Sequence, residues 1–162
     1  MSNSDSSKPP LPEDLESTIA RLLDWYGDGD DGASPNAGQW RRVLGAPAGT
    51  PVTLINFFKL RGTALYTNGS VEAAEAVSGQ EAMMRYAAVS APALARVGGR
   101  FVLMGALEGT LLGHDEDWDA VAIGSYPDRH SLLSLFSDAE YRGAWRHRRA
   151  AMARQRVLVA PV

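Results

Sequence analysis

The stretch that most constrains the fold covers residues 98–126, whose pattern predicts two long strands joined by a polar turn. Apolar residues with several β-formers fill positions 101–112, which is typical of a strand packed on both faces. A polar run at 114–117 predicts the turn, and the strand pattern resumes over 118–126. Because a two-stranded hairpin is only marginally stable in water, other segments of the chain must cover it.

The amino-acid composition excludes several classes of site and function. The chain has 162 residues, no cysteine and a formal net charge of −3. This length predicts one main domain, and the lack of cysteine excludes disulfides, thiolate metal sites and thiol nucleophiles. A mildly acidic chain is not typical of nucleic-acid-binding proteins, so we interpret the basic run at 146–149 as a solvent-facing helix flank. We find no signal peptide and no membrane-spanning apolar segment, and we expect a cytoplasmic protein.

The N-terminal third predicts a tail and a helical extension. Residues 1–11 are rich in Ser, Asp and Pro and predict a disordered tail, whereas residues 12–50 predict a helical extension. An amphipathic helix is predicted over 12–26, and a short second helix over 39–44. The acidic, glycine-rich segment between them lacks the closing glutamate of a calcium loop, so we interpret it as a solvated loop.

Residues 51–162 predict one α+β domain. The predicted elements are strands at 51–60, 101–112, 118–126 and 157–160, helices at 78–97 and 138–155, a short helix after Pro127, and an irregular segment at 61–77. The order strand, helix, strand, strand, helix, strand is that of a ferredoxin-like βαββαβ protomer. Such helices cover one face of the sheet, so we expect a second copy to bury the other face in a homodimer.

Several short segments resemble a known family. They read NFFKL, SGQEAMMRY, GGRFVLMG, LLGHDEDWDAVAIGSYPDR, SDAEY and HRRAAMARQRVLV, and they resemble the DUF1330 family of the dimeric α/β-barrel superfamily over about residues 52–159. The resemblance implies a ferredoxin-like protomer that dimerises through its sheet, with a cavity between sheet and helices. It implies no catalytic set. Other members of the superfamily include cofactor-free oxygenases, cyclases and isomerases of aromatic or polyketide-like molecules, and haem enzymes, which is analogy at the level of the fold.

The last helix carries the sharpest chemical signal. At about 100° per residue, one stripe of this helix holds Tyr141, Ala144, Trp145, Arg148 and Met152. Arg148 therefore lies on an apolar face, where a guanidinium must be paired, bind an anion or extend to an edge. Two interpretations stay open: a structural ion pair, for example with Asp119, or a contact to a bound ligand.

The other candidate side chains also have two interpretations each. His147 is either an acid–base group or a solvated edge residue, and Asn56, in mid-strand, is either a structural hydrogen-bonding group or a ligand contact. The aromatic residues Tyr86, Trp118 and Tyr126 either line a pocket or fill the core. The remaining histidines, His114 and His130, have no metal-ligand spacing with His147, so we expect no metal site.

The sequence contains no phosphate-cradling glycine loop and no nucleophile elbow, so nucleotide use and serine hydrolysis have no support. The leading hypothesis is a homodimeric small-molecule enzyme without a bound cofactor, which isomerises, rearranges, cyclises or oxygenates a hydrophobic oxygenated metabolite. The catalytic candidates are Tyr86, His147 and Arg148, and the substrate-binding candidates are Asn56, Trp118, Asp119, Tyr126, Tyr141 and Trp145. The alternative is a ligand-binding or structural dimer without turnover.

Overall fold

An N-terminal pair of helices packs onto the same core as the rest of the protein. The computed structural model describes residues 14–161; the predicted tail at 1–11 lies outside them. Helix α1, Leu15–Tyr26, begins after the Asp14 cap, and helix α2, Ala37–Leu44, begins with a capping box of Asn36 and Gln39. Their buried side chains join the main core and are Ile19, Leu22, Tyr26, Trp40 and Leu44. No described helix has the length and apolar character needed to cross a membrane.

The rest of the described chain is an α+β fold around one sheet. The strands are β1 Val52–Leu60, β2 Arg100–Ala106, β3 Ala120–Tyr126 and β4 Met152–Ala160, and the helices are α3 Val71–Glu75, α4 Gly79–Arg96, α5 Arg129–Ser137 and α6 Ala139–Ala151. The strand order is β2-β3-β1-β4, and each neighbouring pair is antiparallel. The predicted order of strand, helix, strand, strand, helix, strand is therefore confirmed, with six helices in the described residues.

Several predicted boundaries were wrong. Strand β2 ends at Ala106 instead of 112, and all of its residues are exposed rather than packed on both faces. The polar turn is correspondingly longer and leaves Trp118 and Asp119 outside β3. Helix α3 occupies part of a segment predicted to be irregular, and its Ser70 cap accepts a hydrogen bond from Ala73 N.

The end of α6 was also predicted wrongly. The helix stops at Ala151 rather than 155, and β4 begins at Met152 rather than 157. Residues 152–156 include Ala, Met, Arg and Gln, which favour helix by intrinsic propensity. Pairing of β4 with β1 over the full length of both strands overrides that propensity.

The sheet has an inner face and an outer face, which we define by the side chains of β1. Leu54, Asn56 and Phe58 point to the inner face, where α4 and α6 pack, and the alternating residues Ile55 and Phe57 point to the outer face. Cross-strand register continues the outer face as a row through Leu103, Ile123, Ile55 and Leu158. No helix of the described chain covers this row, and its two end residues, Leu103 and Leu158, are exposed.

Candidate functional site

A cavity of about 680 Å³ lies between the inner face of the sheet and the helices. Its floor includes Ala122 and Gly124 of β3. These residues leave the space open, because alanine has only a methyl group and glycine has no side chain. Most of the remaining wall is apolar and comes from all four strands, α4, α5 and α6. The N-terminal extension adds wall residues from the loop before α2 and from α2 itself, including Ser34, Trp40 and Val43.

Arg148 is the polar centre of this cavity. It lies on the apolar side of α6, as predicted, and is only 6% exposed. Its Nε donates to Gln155 Oε1 at 3.0 Å, its Nη2 to Asn56 Oδ1 at 3.2 Å and its Nη1 to the Tyr86 hydroxyl at 3.4 Å. The guanidinium carbon also lies 4.9 Å from the ring centroid of Trp145, within cation–π range. Neutral groups and aromatic faces therefore hold this charge.

The alternative interpretation of Arg148, an ion pair with Asp119, is wrong. Asp119 Oδ2 accepts a hydrogen bond from Leu60 N at 2.7 Å, and its Oδ1 lies 3.1 Å from Lys59 Nζ. These contacts lower the pKa of the Asp119 carboxyl, with the hydrogen bond from Leu60 N as the largest cause. Because Asp119 precedes β3 instead of lying within it, its side chain is held against β1 and does not line the cavity.

Three tyrosines surround the guanidinium. The hydroxyls of Tyr86 and Tyr141 lie 2.8 Å apart, and the Tyr126 hydroxyl has no hydrogen-bond partner among residues 14–161. The pKa values of Tyr126 and Tyr141 are both raised, and burial is the largest cause in each case. All three line the cavity, and the tyrosines with raised pKa values stay protonated near neutral pH.

His147 does not join this group, although it is adjacent to Arg148 in sequence. It is 9% exposed, so it is not the solvated edge residue that was the alternative, and its Nδ1 lies 2.7 Å from the Tyr66 hydroxyl. Desolvation by burial and the neighbouring Arg146 lower the pKa of His147, and Glu72 opposes this shift. Its ring packs on the segment that follows β1, and it is not among the residues that line the cavity.

The other predicted binding residues separate into two groups. Asn56, Tyr126, Tyr141 and Trp145 line the cavity, and Asn56 also donates to Ala122 O at 3.0 Å. Trp118 lies on the outer side of the sheet, where its ring centroid is 5.8 Å from that of Phe57 and Arg154 stacks on it at 4.2 Å. The structure thus brings six of the predicted site residues to one cavity: Asn56, Tyr86, Tyr126, Tyr141, Trp145 and Arg148.

The sequence analysis did not identify Gln155 or the wall residues that come from α2 and the loop before it. Gln155 was assigned to the last helix, whereas in β4 it pairs with Phe58 and reaches Arg148. The alternation of Gln155 with Val157 and Val159, all three of which line the cavity, is a signal that could have placed it on an inner strand face.

The lining lacks metal-binding and acidic groups within the described residues. No cluster of His, Asp or Glu in residues 14–161 could hold a metal ion. The charged residues that border the cavity in this part of the chain are Arg42, Arg148 and Arg156, and the border holds no carboxylate, histidine or lysine. The side chain of Arg156 points to the outer side of the sheet, where it lies 5.7 Å from the Trp118 ring centroid. The cavity therefore presents positive charge and hydroxyl donors to any molecule that enters it.

Comparison with known proteins places this fold in a family. Two crystal structures of the protein RPA0582 from Rhodopseudomonas palustris, a protein of unknown function, are similar to it. The first is 29% identical, with a TM-score of 0.71 over 80% of this chain and 95% of that one. The second, of the methylated protein, is 30% identical, with a TM-score of 0.72 over 80% and 93%. No curated protein matches. Residues 70–162 match the family described as Domain of unknown function (DUF1330), and the chain therefore belongs to that family.

Proposed function

We propose that this protein is a small-molecule enzyme that acts without a bound cofactor on a hydrophobic, oxygenated metabolite held in the cavity. Its reaction is of the acid–base type, an isomerisation, rearrangement or cyclisation that passes through an oxyanion such as an enolate. One observation carries the proposal: Arg148, a buried cation with no carboxylate partner among the described residues, faces a cavity of about 680 Å³. Ligand cavities in proteins have volumes of about 300–1,000 Å³.

The roles follow from the contacts. Arg148 stabilises the developing negative charge on oxygen, where a charged donor in a water-poor site has a large effect. Asn56 and Gln155 accept hydrogen bonds from the guanidinium and fix its orientation. Tyr86 takes the proton-transfer role that the sequence left open between it and His147, because Tyr86 lines the cavity and His147 contacts Tyr66 instead.

The test measures the rate of ketonisation of an aryl enol, which is monitored as the loss of the enol absorbance. With phenylpyruvate enol as the probe, we expect the protein to accelerate ketonisation above the buffer rate. Arg148→Met should reduce the acceleration by a factor of about 10 to 100, whereas Arg146→Met, on the exposed side of the same helix and paired with Glu72, should not. Absence of acceleration for this enol, at concentrations at which it binds the cavity, would contradict an enzymatic role.

A second candidate function is a ligand-binding dimer without turnover. The observation in its favour is that no carboxylate, histidine or lysine lines the cavity in the described residues, so the lining offers no general base. Saturable binding that depends on Arg148, with no acceleration of any enol tested, would favour this candidate over the enzyme.

We also propose that the protein is a homodimer of the dimeric α/β-barrel type, in which a second copy covers the outer face of the sheet. The row of Leu103, Ile123, Ile55 and Leu158 crosses all four strands, and its ends are 51% and 48% exposed. An exposed apolar surface of this extent is typical of a protein–protein interface. A twofold interface would place the row of one protomer against the same row of the other.

A further inference from the structure

We infer that the cavity takes a monoanionic apolar acid, in which two oxygen atoms share one negative charge, as in a carboxylate or in the enolate of a β-dicarbonyl compound. The inference rests on the proposed function, because it names the chemical class of the ligand for the same cavity. Three properties of the described lining lead to it: the sign of its charge, its surplus of hydrogen-bond donors and its lack of a base.

The charge of the lining is positive. Arg42, Arg148 and Arg156 are its charged members within the described chain. The Arg156 side chain points to the outer side of the sheet, 3.4 Å from Glu116 and 5.7 Å from the Trp118 ring centroid, so its charge does not face the cavity. Arg148 is buried, and its hydrogen-bond partners in residues 14–161 are all neutral. A buried cation without an anion is unfavourable, so an anionic ligand would supply the missing counter-charge.

The polar groups of the lining are mainly donors. The amide oxygens of Asn56 and Gln155 already accept hydrogen bonds from Arg148. A guanidinium carries more N–H groups than these bonds and the one to Tyr86 use, so donors remain for a ligand. The Tyr126 side chain is 6% exposed and lines the cavity, and its hydroxyl has no partner among the described residues. The ligand must therefore supply acceptor oxygens.

The described lining offers no carboxylate, histidine or lysine to remove a proton from a neutral ligand, and Tyr86 in its proposed role acts as a proton donor. His147 is held against Tyr66 outside the cavity. The hydroxyls of Tyr126 and Tyr141 stay protonated because burial raises their pKa values. The ligand must therefore enter already ionised near neutral pH, which carboxylic acids and cyclic β-diketones satisfy and simple ketones do not.

The body of the ligand is apolar and its charge is single. Side chains such as Leu54, Phe58, Leu94 and Met104 form the wall around the polar centre. A guanidinium matches two oxygens that share one charge, because its N–H groups form a planar fork. A phosphate ester would bring a second negative charge, and Arg148 is the one buried arginine among the described residues of the lining, so that charge would not be offset. An aliphatic or aromatic monoacid meets both conditions.

The experiment is isothermal titration calorimetry with pairs of probes that differ in charge and share their apolar body. Naphthoate is compared with naphthamide, and the enolate of dimedone with its neutral methyl enol ether. We expect each anion to bind about tenfold or more tightly than its neutral partner, since a charge-assisted hydrogen bond is lost in the neutral compound. The pair with the larger ratio of anion affinity to neutral affinity indicates whether the cavity prefers a carboxylate or an enolate.

Three variants test whether the cavity causes this preference for the anion. Arg148→Met should remove the preference for the anion, and Arg146→Met on the exposed side of α6 should keep it. Tyr126→Phe should weaken anion binding in a protein whose fold is unchanged, which keeps the test valid if Arg148→Met does not fold. Equal affinity for charged and neutral partners would overturn the inference and leave the cavity as a ligand site. Failure of all four compounds to bind the wild-type protein would overturn the proposed function as well.

Discussion

The two faces of the sheet are both rich in apolar side chains, but they differ in shape and in polar content. The inner face is concave against the helices and encloses a cavity with a buried guanidinium at its centre. The outer face carries a continuous row of branched aliphatic side chains from Leu103 to Leu158, with no helix of the described chain over it. A concave surface with one unpaired charge suits a small anionic molecule, whereas an open apolar surface suits another protein surface.

The side chains of strand β1 serve both faces of the sheet. In β1, Asn56 points inward to Arg148, while its neighbours Ile55 and Phe57 point outward. Successive side chains of a strand point to opposite faces. Three consecutive residues can therefore contribute both to the proposed ligand site and to the proposed dimer interface. Substitutions on one face should therefore leave the function of the other face unchanged.

The largest expected effect belongs to the outer face. Leu103→Asp places a carboxylate in the row of Leu103, Ile123, Ile55 and Leu158, and a twofold interface would bury two such charges together. We expect the dimer dissociation constant to rise by about a hundredfold or more. Sedimentation velocity at micromolar concentration measures it. Because Leu103 is 51% exposed in the protomer, the unfolding free energy of the protomer should change by only about 0.5 kcal/mol.

Val71→Asp is the matched control for this substitution. Val71 is at least as exposed, but it lies in α3, away from the sheet. Its substitution should leave association unchanged. If the wild-type protein sediments as a monomer at micromolar concentration, or if both variants associate like the wild type, the outer face is not an interface.

The second effect belongs to the inner face. Arg148→Met should lower the affinity for an anionic ligand by about 1.5–3 kcal/mol, the range for hydrogen bonds to charged groups. The melting temperature should stay the same or rise, because a buried charge without a carboxylate partner is replaced by an apolar side chain. Binding calorimetry and thermal unfolding measure the two quantities on the same sample.

The double variant with Asp119→Asn sharpens this result. Asp119 binds Leu60 N and Lys59, so its substitution should affect stability independently of Arg148. A single variant that is strongly destabilised and then rescued by Asp119→Asn would show that Arg148 is structural, which would contradict its role as a ligand contact.

The fold was largely predictable because its signals are local. β-Branched and aromatic residues predict β1, and the capping-box pattern of Ser78 and Glu81 predicts the start of α4. The hydrogen bond from Glu81 N to Ser78 Oγ at 3.0 Å confirms this cap. The same pattern in Ser137 and Glu140 predicts a cap at Ser137 for α6. In the structure Asp138 is the cap instead, and it accepts a hydrogen bond from Tyr141 N at 2.8 Å. Both residues favour this position, and sequence alone does not decide between neighbours.

The site was only partly predictable because its contacts join distant segments. Helical periodicity correctly placed Arg148, Tyr141 and Trp145 on one side of α6. The acceptors for the guanidinium come from β1, α4 and β4, and their convergence depends on the packing of the whole sheet. The burial of His147 against Tyr66 depends on the path of the segment after β1, which has no pattern in the sequence.

The third effect concerns the pH dependence of folding stability, which we expect to depend on His147, outside the cavity. The pKa of His147 is lower in the folded protein than in the unfolded chain, so the unfolded chain takes up protons first as the pH falls. Stability is complete above about pH 7.5 and declines as the pH falls through the unfolded pKa of about 6.5. We expect a loss below about 1 kcal/mol between pH 7.5 and 5.5, because solvent screens part of the interaction.

His147→Asn should flatten this part of the pH profile, and His114→Asn, in the exposed loop between β2 and β3, should not. Denaturant unfolding at each pH measures the difference. Anion binding at constant pH should be the same in both variants, since neither residue lines the cavity. A change in anion affinity in His147→Asn alone would show that His147 acts on the ligand after all.

The fourth effect concerns the hydroxyl of Tyr126 on the inner face. This hydroxyl has no partner in the described residues, so Tyr126→Phe removes no internal hydrogen bond and should leave the unfolding free energy unchanged within about 0.5 kcal/mol. Affinity for an anionic ligand should fall by about 0.5–1.5 kcal/mol, the net contribution of one hydrogen bond. Tyr26→Phe provides the opposite case, because the Tyr26 hydroxyl donates to Phe136 O at 2.7 Å and Tyr26 does not line the cavity. That variant should lose about 1 kcal/mol or more of stability and no affinity. If Tyr126→Phe instead destabilised the fold as Tyr26→Phe does and left anion binding intact, the Tyr126 hydroxyl would be a structural group, and the ligand would be held by Arg148 without it.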